Sequence, residues 1–496
     1  MKLLIANRGE IATRIVKSCN KLDIIPCGVY SEGDKNSVYI KSLKEALNIG
    51  GFTATDSYLK MDKIVNAAKK LGCIMIHPGY GFLAENLEFS ELCKKEGLIF
   101  VGPSPEVLKV SGDKLRAKHT ASRVAPVLEG KEVSTEDQAL KVAYDIGYPV
   151  ILKAARGGGG RGLRIAKSPD DISRVIDISR NESMISFGSD RLFIEKYIEQ
   201  PRHIEVQILG DNSTIIQLGE RECSVQRRHQ KLIEETPSPA LTHEMRKRIT
   251  DTAIAIMKEM KYDSAGTVEF LFKNEHFYFM EVNSRIQVEH PVTEEVTGID
   301  LVEQQINIAS GTGLTIKQKD VKPRGHAIEC RINAEHPLSF IPFAGTIKSF
   351  SPPFNTKHVR IDTALSTDST IPPFYDSLIA KLICFGDSRY DAIERMKQSL
   401  SMFRISGIPT TIPFHLSALN DTRFIEGIYD TSFVDKLRPY SVVDGEVASA
   451  ILCQLPRKIK FLINEESSNE NVWMKSRFSE SNFDHYFSNS RWEHNI

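Results

Sequence analysis

Five polar side chains occupy every second position of Glu281-Val-Asn-Ser-Arg-Ile-Gln-Val-Glu289, namely Glu281, Asn283, Arg285, Gln287 and Glu289. As an extended strand this segment would present all five on one face. Two carboxylates, two amides and a guanidinium in one row are costly to bury, and they suit metal binding, anion binding and proton transfer. The row alone leaves an ordinary exposed strand face as the alternative. Its upstream neighbours add to it: Gly266-Thr-Val-Glu269-Phe-Leu-Phe and Phe277-Tyr-Phe-Met-Glu281 flank Asn274-Glu-His276 and read as a hairpin with a three-residue loop. That register sets Glu269 opposite Glu281, where like charges repel unless a cation lies between them. Oxygen ligands without His or Cys point to magnesium or manganese, and magnesium usually shares its shell with substrate phosphates. A bound nucleotide is therefore expected.

A second phosphate signal lies upstream. The apolar run Tyr148-Pro-Val-Ile-Leu152 leads to Lys153 and then to Gly157, Gly158, Gly159 and Gly160. Four consecutive glycines cannot pack as a core element; their amides can approach a phosphate closely, and their freedom suits a closing lid or a plain linker. The spacing matches neither the P-loop nor the dinucleotide fingerprint. At the start, Lys2-Leu-Leu-Ile-Ala-Asn7-Arg8-Gly9-Glu10-Ile-Ala reads as strand, glycine turn and amphipathic helix, and strand and helix patterns alternate to about Leu108. This predicts a doubly wound parallel sheet. Beyond Gly311-Thr-Gly-Leu-Thr come short strands with turns near Pro352-Pro353 and Pro372-Pro373. Asp444 can cap a short helix ended by Pro456, ahead of a polar tail containing Trp473 and Trp492.

Further motifs follow in order: Ile76-His77-Pro78-Gly79-Tyr80-Gly81-Phe82, Gly112-Asp113-Lys114, Glu195-Lys196-Tyr197-Ile198, Gln226-Arg227-Arg228-His229-Gln230-Lys231 and Glu329-Cys330-Arg331-Ile332-Asn333-Ala334-Glu335. With the residues above, the chain from Met1 to about residue 440 resembles biotin carboxylase, of the ATP-grasp superfamily. The resemblance implies an α/β protein in four parts: residues 1–112, the doubly wound parallel sheet; 113–310, an ATP-grasp portion with a mobile lid at about 130–198; 311–440, an α+β barrel-like C-terminal domain; and 441–496, a tail that either docks a partner or is a frayed extension. It also implies the reaction, in which bicarbonate attacks the γ-phosphate of ATP and the resulting carboxyphosphate supplies carbon dioxide to biotin.

Site roles come from the same resemblance. Glu289 matches the base for bicarbonate; Arg285, Gln287 and the backbone of Val288 match its cradle; Arg331 matches the stabiliser of biotin's oxyanion, with Asp376 nearby. Glu269, Glu281 and Asn283 match metal-binding positions. Lys114, Lys153 and the four glycines match phosphate contacts, Glu195, Lys196 and Ile198 the adenine hinge, and His203, His229 and Lys231 positions near the nucleotide and bicarbonate. His77 reads as structural. Against the family pattern, Phe343 replaces a small residue, His336 an aspartate, and Thr363-Ala-Leu-Ser-Thr-Asp368 a glycine-containing turn, so the departures concern the biotin side.

The 496 residues carry 64 basic and 64 acidic side chains, so no net field favours nucleic acid or an anionic membrane. No run of about 18 apolar residues occurs, and the chain begins on a strand pattern without a signal segment, so a cytoplasmic location is expected. The eight cysteines show no Cys-x-x-Cys spacing and read as reduced thiols. Trp473-Met-Lys475 lacks the flanking residues of a biotin-bearing hairpin, so biotin is expected on a separate biotin carboxyl carrier protein. The resemblance further implies a carboxyltransferase partner, and a homodimer within a larger complex. The expected final acceptor is acetyl-CoA or propionyl-CoA, with pyruvate as the alternative. Two further readings are a different ATP-grasp carboxylate–amine ligase and a nucleotide-binding regulatory module without turnover.

Overall fold

The computed structural model describes residues 1–154, 163–187, 191–353 and 356–437. The glycine run at 157–160 and the tail at 441–496 lie outside these residues. Five strands, β1 (Lys2–Ile5), β2 (Ile25–Tyr30), β3 (Glu45–Asn48), β4 (Met75–His77) and β5 (Ile99–Phe100), form an all-parallel sheet in the order β3-β2-β1-β4-β5. The order reverses at β1, as a doubly wound sheet requires, and the helix Gly9–Lys21 leaves that strand through Gly9 at φ 66°. His77 is buried and its Nδ1 accepts the Gly79 N–H at 3.0 Å. Burial pushes its pKa down to about 3, so it serves the turn as a neutral ring.

A four-stranded antiparallel sheet, with β6 (Gly130–Val133), β7 (Val150–Ala154), β8 (Arg164–Ala166) and β9 (Leu192–Lys196) in the order β6-β9-β7-β8, is covered by the helices Glu136–Ile146 and Pro169–Phe187. It presents Lys153 and Glu195 on neighbouring strands. The largest sheet contains β10 (Arg202–Gly210), β11 (Ile215–Arg227), β12 (Gln230–Thr236), β13 (Ala265–Lys273), β14 (His276–Asn283) and β15 (His326–Asn333). Two short pairs, β16 (Gly345–Thr346) with β19 (Thr370–Ile371) and β17 (Ser349–Ser351) with β21 (Arg404–Ser406), lie beyond it. The remaining strands, β18 (Val359–Thr363) and β20 (Leu378–Gly386), complete an eight-stranded order β14-β13-β10-β11-β12-β15-β20-β18. The sheet runs without interruption past residue 310, because β12 pairs with β15.

Strand alternation divides this sheet by chemistry. Ile204, Val206, Val268 and Phe270 pack into one apolar cluster, and Ile233, Ile328, Cys330 and Leu382 into another. The intervening residues Glu205, Glu269, Glu234, Glu329, Arg331 and Lys381 turn to the other face. There Val292 and Val296 of the helix His290–Thr297 cover Ala327 and Ile383. A buried sheet face lined with charge needs compensation residue by residue.

The departures noted in the sequence are accommodated by turn chemistry. His336 Nδ1 accepts the N–H groups of Leu338 and Ser339, the place of an acidic turn residue taken by a neutral ring. Phe343 packs against the C-terminal core, and Asp368 takes a left-handed φ of 68° in the turn that lacks glycine.

Candidate active site

The hairpin brings Glu269 and Glu281 into register, by a route different from the expected three-residue loop. Lys273 pairs with His276, leaving the two-residue loop Asn274-Glu275, both at positive φ as a tight primed turn requires. That loop alone would set Glu269 opposite Met280. A bulge between Glu269 and Phe270 in the pairing adds one residue on β14 and restores Glu281 to the opposed position.

The expected extended row over 281–289 does not form. β14 ends at Asn283, and residues 284–289 turn into the helix His290–Thr297, with Glu289 at its N-cap position. Pro291 at the start of that helix fixes the backbone there and ends any strand pairing. The side chains nevertheless converge: Arg285 donates to Asn283 Oδ1 at 3.0 Å and Gln287 Oε1 at 2.7 Å, and Gln287 Nε2 donates to Glu269 Oε1 at 3.1 Å. Glu85 also accepts from Arg285, at 3.0 Å.

Lys231 is the hub. Its Nζ lies 2.7 Å from Glu205, 3.0 Å from Glu269 and 2.6 Å from Glu289, and a buried ammonium with three carboxylates is held well above its usual pKa, the carboxylates outweighing burial. Arg331 donates to Glu234 through Nε at 2.6 Å and to Glu289 Oε2 through Nη2 at 2.8 Å. Burial would raise the Glu289 carboxyl, yet Lys231, Arg331 and Arg221 outweigh it and hold the group well below the usual range. Glu234 goes the other way: burial and the nearby Glu289 outweigh Arg331 and lift it to about 7.

Around the Glu269–Glu281 pair, Lys114 Nζ lies 2.7 Å from Glu281, delivered by a helix that starts at Lys114 because the Asp113 side chain accepts from Leu115 and Arg116. His203 Nε2 lies 3.0 Å from Glu269 Oε2, so an imidazole flanks a site whose expected donors were oxygen alone. The donor set still fits a hard divalent ion: two opposed carboxylates and the Asn283 amide oxygen lie on one strand pair, with the acids at present neutralised by ammonium groups.

Lys153 Nζ contacts Glu195 Oε2 at 2.6 Å, and Lys118 contacts the other oxygen of the same carboxylate. Lys196 sends its Nζ to the carbonyls of Gly147 and Tyr148, both at 2.9 Å. With Ile198, Tyr197, Val127 and Tyr278 it lines a cavity of ≈ 580 Å3. His229 is exposed at the β11–β12 turn at φ 66°. Asp376 is exposed too; its Oδ1 accepts the Leu378 N–H at 2.8 Å and caps the start of β20, where the sequence left open a helix cap.

Sequence reading missed Glu205, Arg221, Glu234 and Lys118. Glu205 and Arg221 are fully buried and paired at 2.5 Å, with Arg221 also donating to Gln207 and Thr293. The available signal was the alternation His203-Ile-Glu205-Val-Gln207, polar residues at every second position of an otherwise apolar strand.

Comparison with known proteins matches residues 1–108 to the biotin carboxylase N-terminal domain, 113–317 to the carbamoyl-phosphate synthase L chain ATP binding domain, and 329–436 to the biotin carboxylase C-terminal domain. Biotin carboxylase 1 of Bacillus subtilis is 49% identical over 441 residues, 88% of this chain and 98% of that protein. A pyruvate carboxylase subunit of Methanothermobacter thermautotrophicus is 48% identical over 442 residues, 88% and 90% of the two. Among solved structures, the biotin carboxylase domain dimer of Hydrogenobacter thermophilus 2-oxoglutarate carboxylase, in complex with MgADP, ADP and bicarbonate, superposes with a TM-score of 0.85 at 43% identity, covering 89% of this chain and 99% of that one.

Proposed function

The chain belongs to the biotin carboxylase family of ATP-dependent ligases, and on that premise we propose that it carboxylates biotin borne on a separate biotin carboxyl carrier protein, with ATP and bicarbonate, as the first half-reaction of an acetyl-CoA or propionyl-CoA carboxylase. The observation that carries this reading is the convergence of Glu289, Arg331 and Lys231 beside the Glu269–Glu281 pair on one buried sheet face. We divide the chain as 1–112, 113–310 with a lid at 130–198, 311–440, and a tail at 441–496.

Glu269, Glu281 and Asn283 would hold a magnesium or manganese ion, whose charge offsets that on the nucleotide phosphates. Lys114, Lys153 and the glycine run hold those phosphates, with Lys231, His203 and His229 nearby; Glu195, Lys196 and Ile198 take the adenine. Arg285, Gln287 and the Val288 N–H hold bicarbonate. Glu289 is ionised and can accept its proton. The same cations that ionise it make it a weak base, and this eases as bicarbonate and phosphate share Arg285 and Lys231 with it. Arg331 stabilises the negative oxygen that forms when biotin's ureido nitrogen loses its proton, with Asp376 lying toward the biotin side.

For the acceptor, a second reading has a specific observation behind it: relatives belong to a pyruvate carboxylase and a 2-oxoglutarate carboxylase, so a 2-oxo acid stands beside acyl-CoA. We place the chain in the cytoplasm as a homodimer that assembles with carrier and carboxyltransferase subunits. No described helix is long and apolar enough to cross a membrane.

The purified chain with ATP and magnesium should release phosphate in a manner dependent on bicarbonate and increased by free biotin. Release that follows an organic acid and an amine would instead mark a different ATP-grasp ligase. Nucleotide binding without bicarbonate-dependent release would mark a regulatory module, and covalent biotin on this chain would contradict the separate carrier.

A further inference from the structure

Lys381 is a lysine with no exposed surface, and its ammonium reaches the active-site turn from behind. Its Nζ donates to the Val288 carbonyl at 2.9 Å and lies 3.2 Å from Glu10 Oε2 and 4.0 Å from Asp362 Oδ2. These three partners come from different parts of the chain: the turn before the helix His290–Thr297, the first turn of the helix after β1, and β18. Lys381 is also the register partner of Arg331, so it sits on the charged face of the large sheet.

One peptide earlier in the turn, the Gln287 carbonyl is held by His290, which is fully buried and whose Nδ1 lies 2.7 Å away. Only a protonated Nδ1 can meet a carbonyl, so this nitrogen is the donor. Because a peptide group is planar, holding the Gln287 carbonyl aims the Val288 N–H in the opposite direction. Holding the Val288 carbonyl fixes the next peptide plane, and with it the Cα that carries the Glu289 side chain. Two successive peptide groups are thus secured by two buried side chains.

We propose that Lys381 is a positioning residue that, with His290, locks the 287–289 turn so that the Val288 N–H and the Glu289 carboxylate face the bicarbonate site. The inference rests on the function proposed above for the identity of the anion, but the lock itself is independent of it. A buried ammonium is costly, and simple neutralisation of Glu10 and Asp362 is the competing explanation for its presence. Neutralisation alone would affect stability everywhere. A lock affects one turn and one substrate.

Lys381→Met removes the donor at similar length. Should it fail to fold, Glu10→Gln is the milder variant: its oxygen can still accept from the Tyr80 hydroxyl, which binds Glu10 in the native chain, leaving an amide NH2 facing Lys381. Two readouts apply to each variant. In bicarbonate-dependent ATP hydrolysis, the bicarbonate KM should rise about tenfold or more for Lys381→Met, the loss expected of a hydrogen bond from a charged donor, and several-fold for Glu10→Gln, with the ATP KM unchanged. In hydrogen exchange read by mass spectrometry, the peptide spanning 285–291 should lose protection while those from β1 and β7 keep theirs. An unchanged bicarbonate KM with unchanged protection in a folded variant overturns the proposal, as does a uniform loss of protection. Wild-type hydrolysis that ignores bicarbonate would overturn the proposed function instead, and the exchange result would still decide the lock.

Discussion

Glu289 and Arg331 meet at 2.8 Å, yet the roles proposed for them predict separable effects when each is removed. Glu289→Ala deletes the proposed proton acceptor, and biotin carboxylation should fall by ~10²–10⁴-fold, the usual contribution of a general base. Arg331→Ala deletes the proposed oxyanion partner and should cost ~10²–10³-fold. Titration calorimetry should find ATP affinity little changed in both, because the proposed phosphate and adenine contacts Lys114, Lys153, Glu195, Lys196 and Ile198 lie elsewhere in the chain; carboxylation rates near wild type in either variant would contradict its proposed role. Glu269, Glu281, Asn283, Arg285, Gln287 and Glu289 were legible from type and spacing, whereas Arg331 and Lys231 stood out only through the resemblance to a family. Glu205 and Glu234 were not legible, because a glutamate in an apolar strand signals only that something must compensate it, and the compensating Arg221 and Arg331 sit on separate strands, 16 and 97 residues away.

At the scale of elements, β12 shows how one strand serves chemistry and stability through adjacent residues. Glu234 faces Arg331. Glu235 points to the other side, where it accepts from Arg389 at 2.7 and 2.9 Å and lies 2.6 Å from His326. Burial would raise the Glu235 carboxyl, but His326 and Arg389 outweigh it and bring it down to about 2. A depressed carboxyl stabilises the fold above its unfolded pKa, and that contribution disappears as pH falls from the ordinary 4.5 towards about 2. Glu235→Gln should therefore cost roughly 3 kcal/mol near neutral pH. Urea unfolding at several pH values should find the gap from wild type closing below pH 4.5; a gap of constant size would contradict the assigned cause. Element type was legible where periodicity was clear, as in β13 and the helix Gly9–Lys21. The end of β14 was not, because period-two spacing continues through 289 while Pro291 and the helix after it bend the backbone into a turn. The bulge in β14 left no sequence signal, and its effect cancelled that of the shorter hairpin loop.

Across the whole molecule, one eight-stranded sheet joins residues that the sequence assigns to two portions, and its charged face gathers Lys231, Glu269, Arg331 and Lys381 from β12, β13, β15 and β20. Pairing between β12 and β15 could not be read from local patterns, since each strand's apolar residues are equally satisfied by many partners. The parallel N-terminal sheet was legible because alternating strands and helices admit few arrangements. We propose that this face makes bicarbonate the nucleophile towards ATP. The most direct measurement supplies 18O-labelled bicarbonate with ATP, magnesium and free biotin, and reads the isotope content of the released phosphate by mass spectrometry. One bicarbonate oxygen should appear in each phosphate released; phosphate carrying oxygen only from solvent water would rule out bicarbonate as the nucleophile.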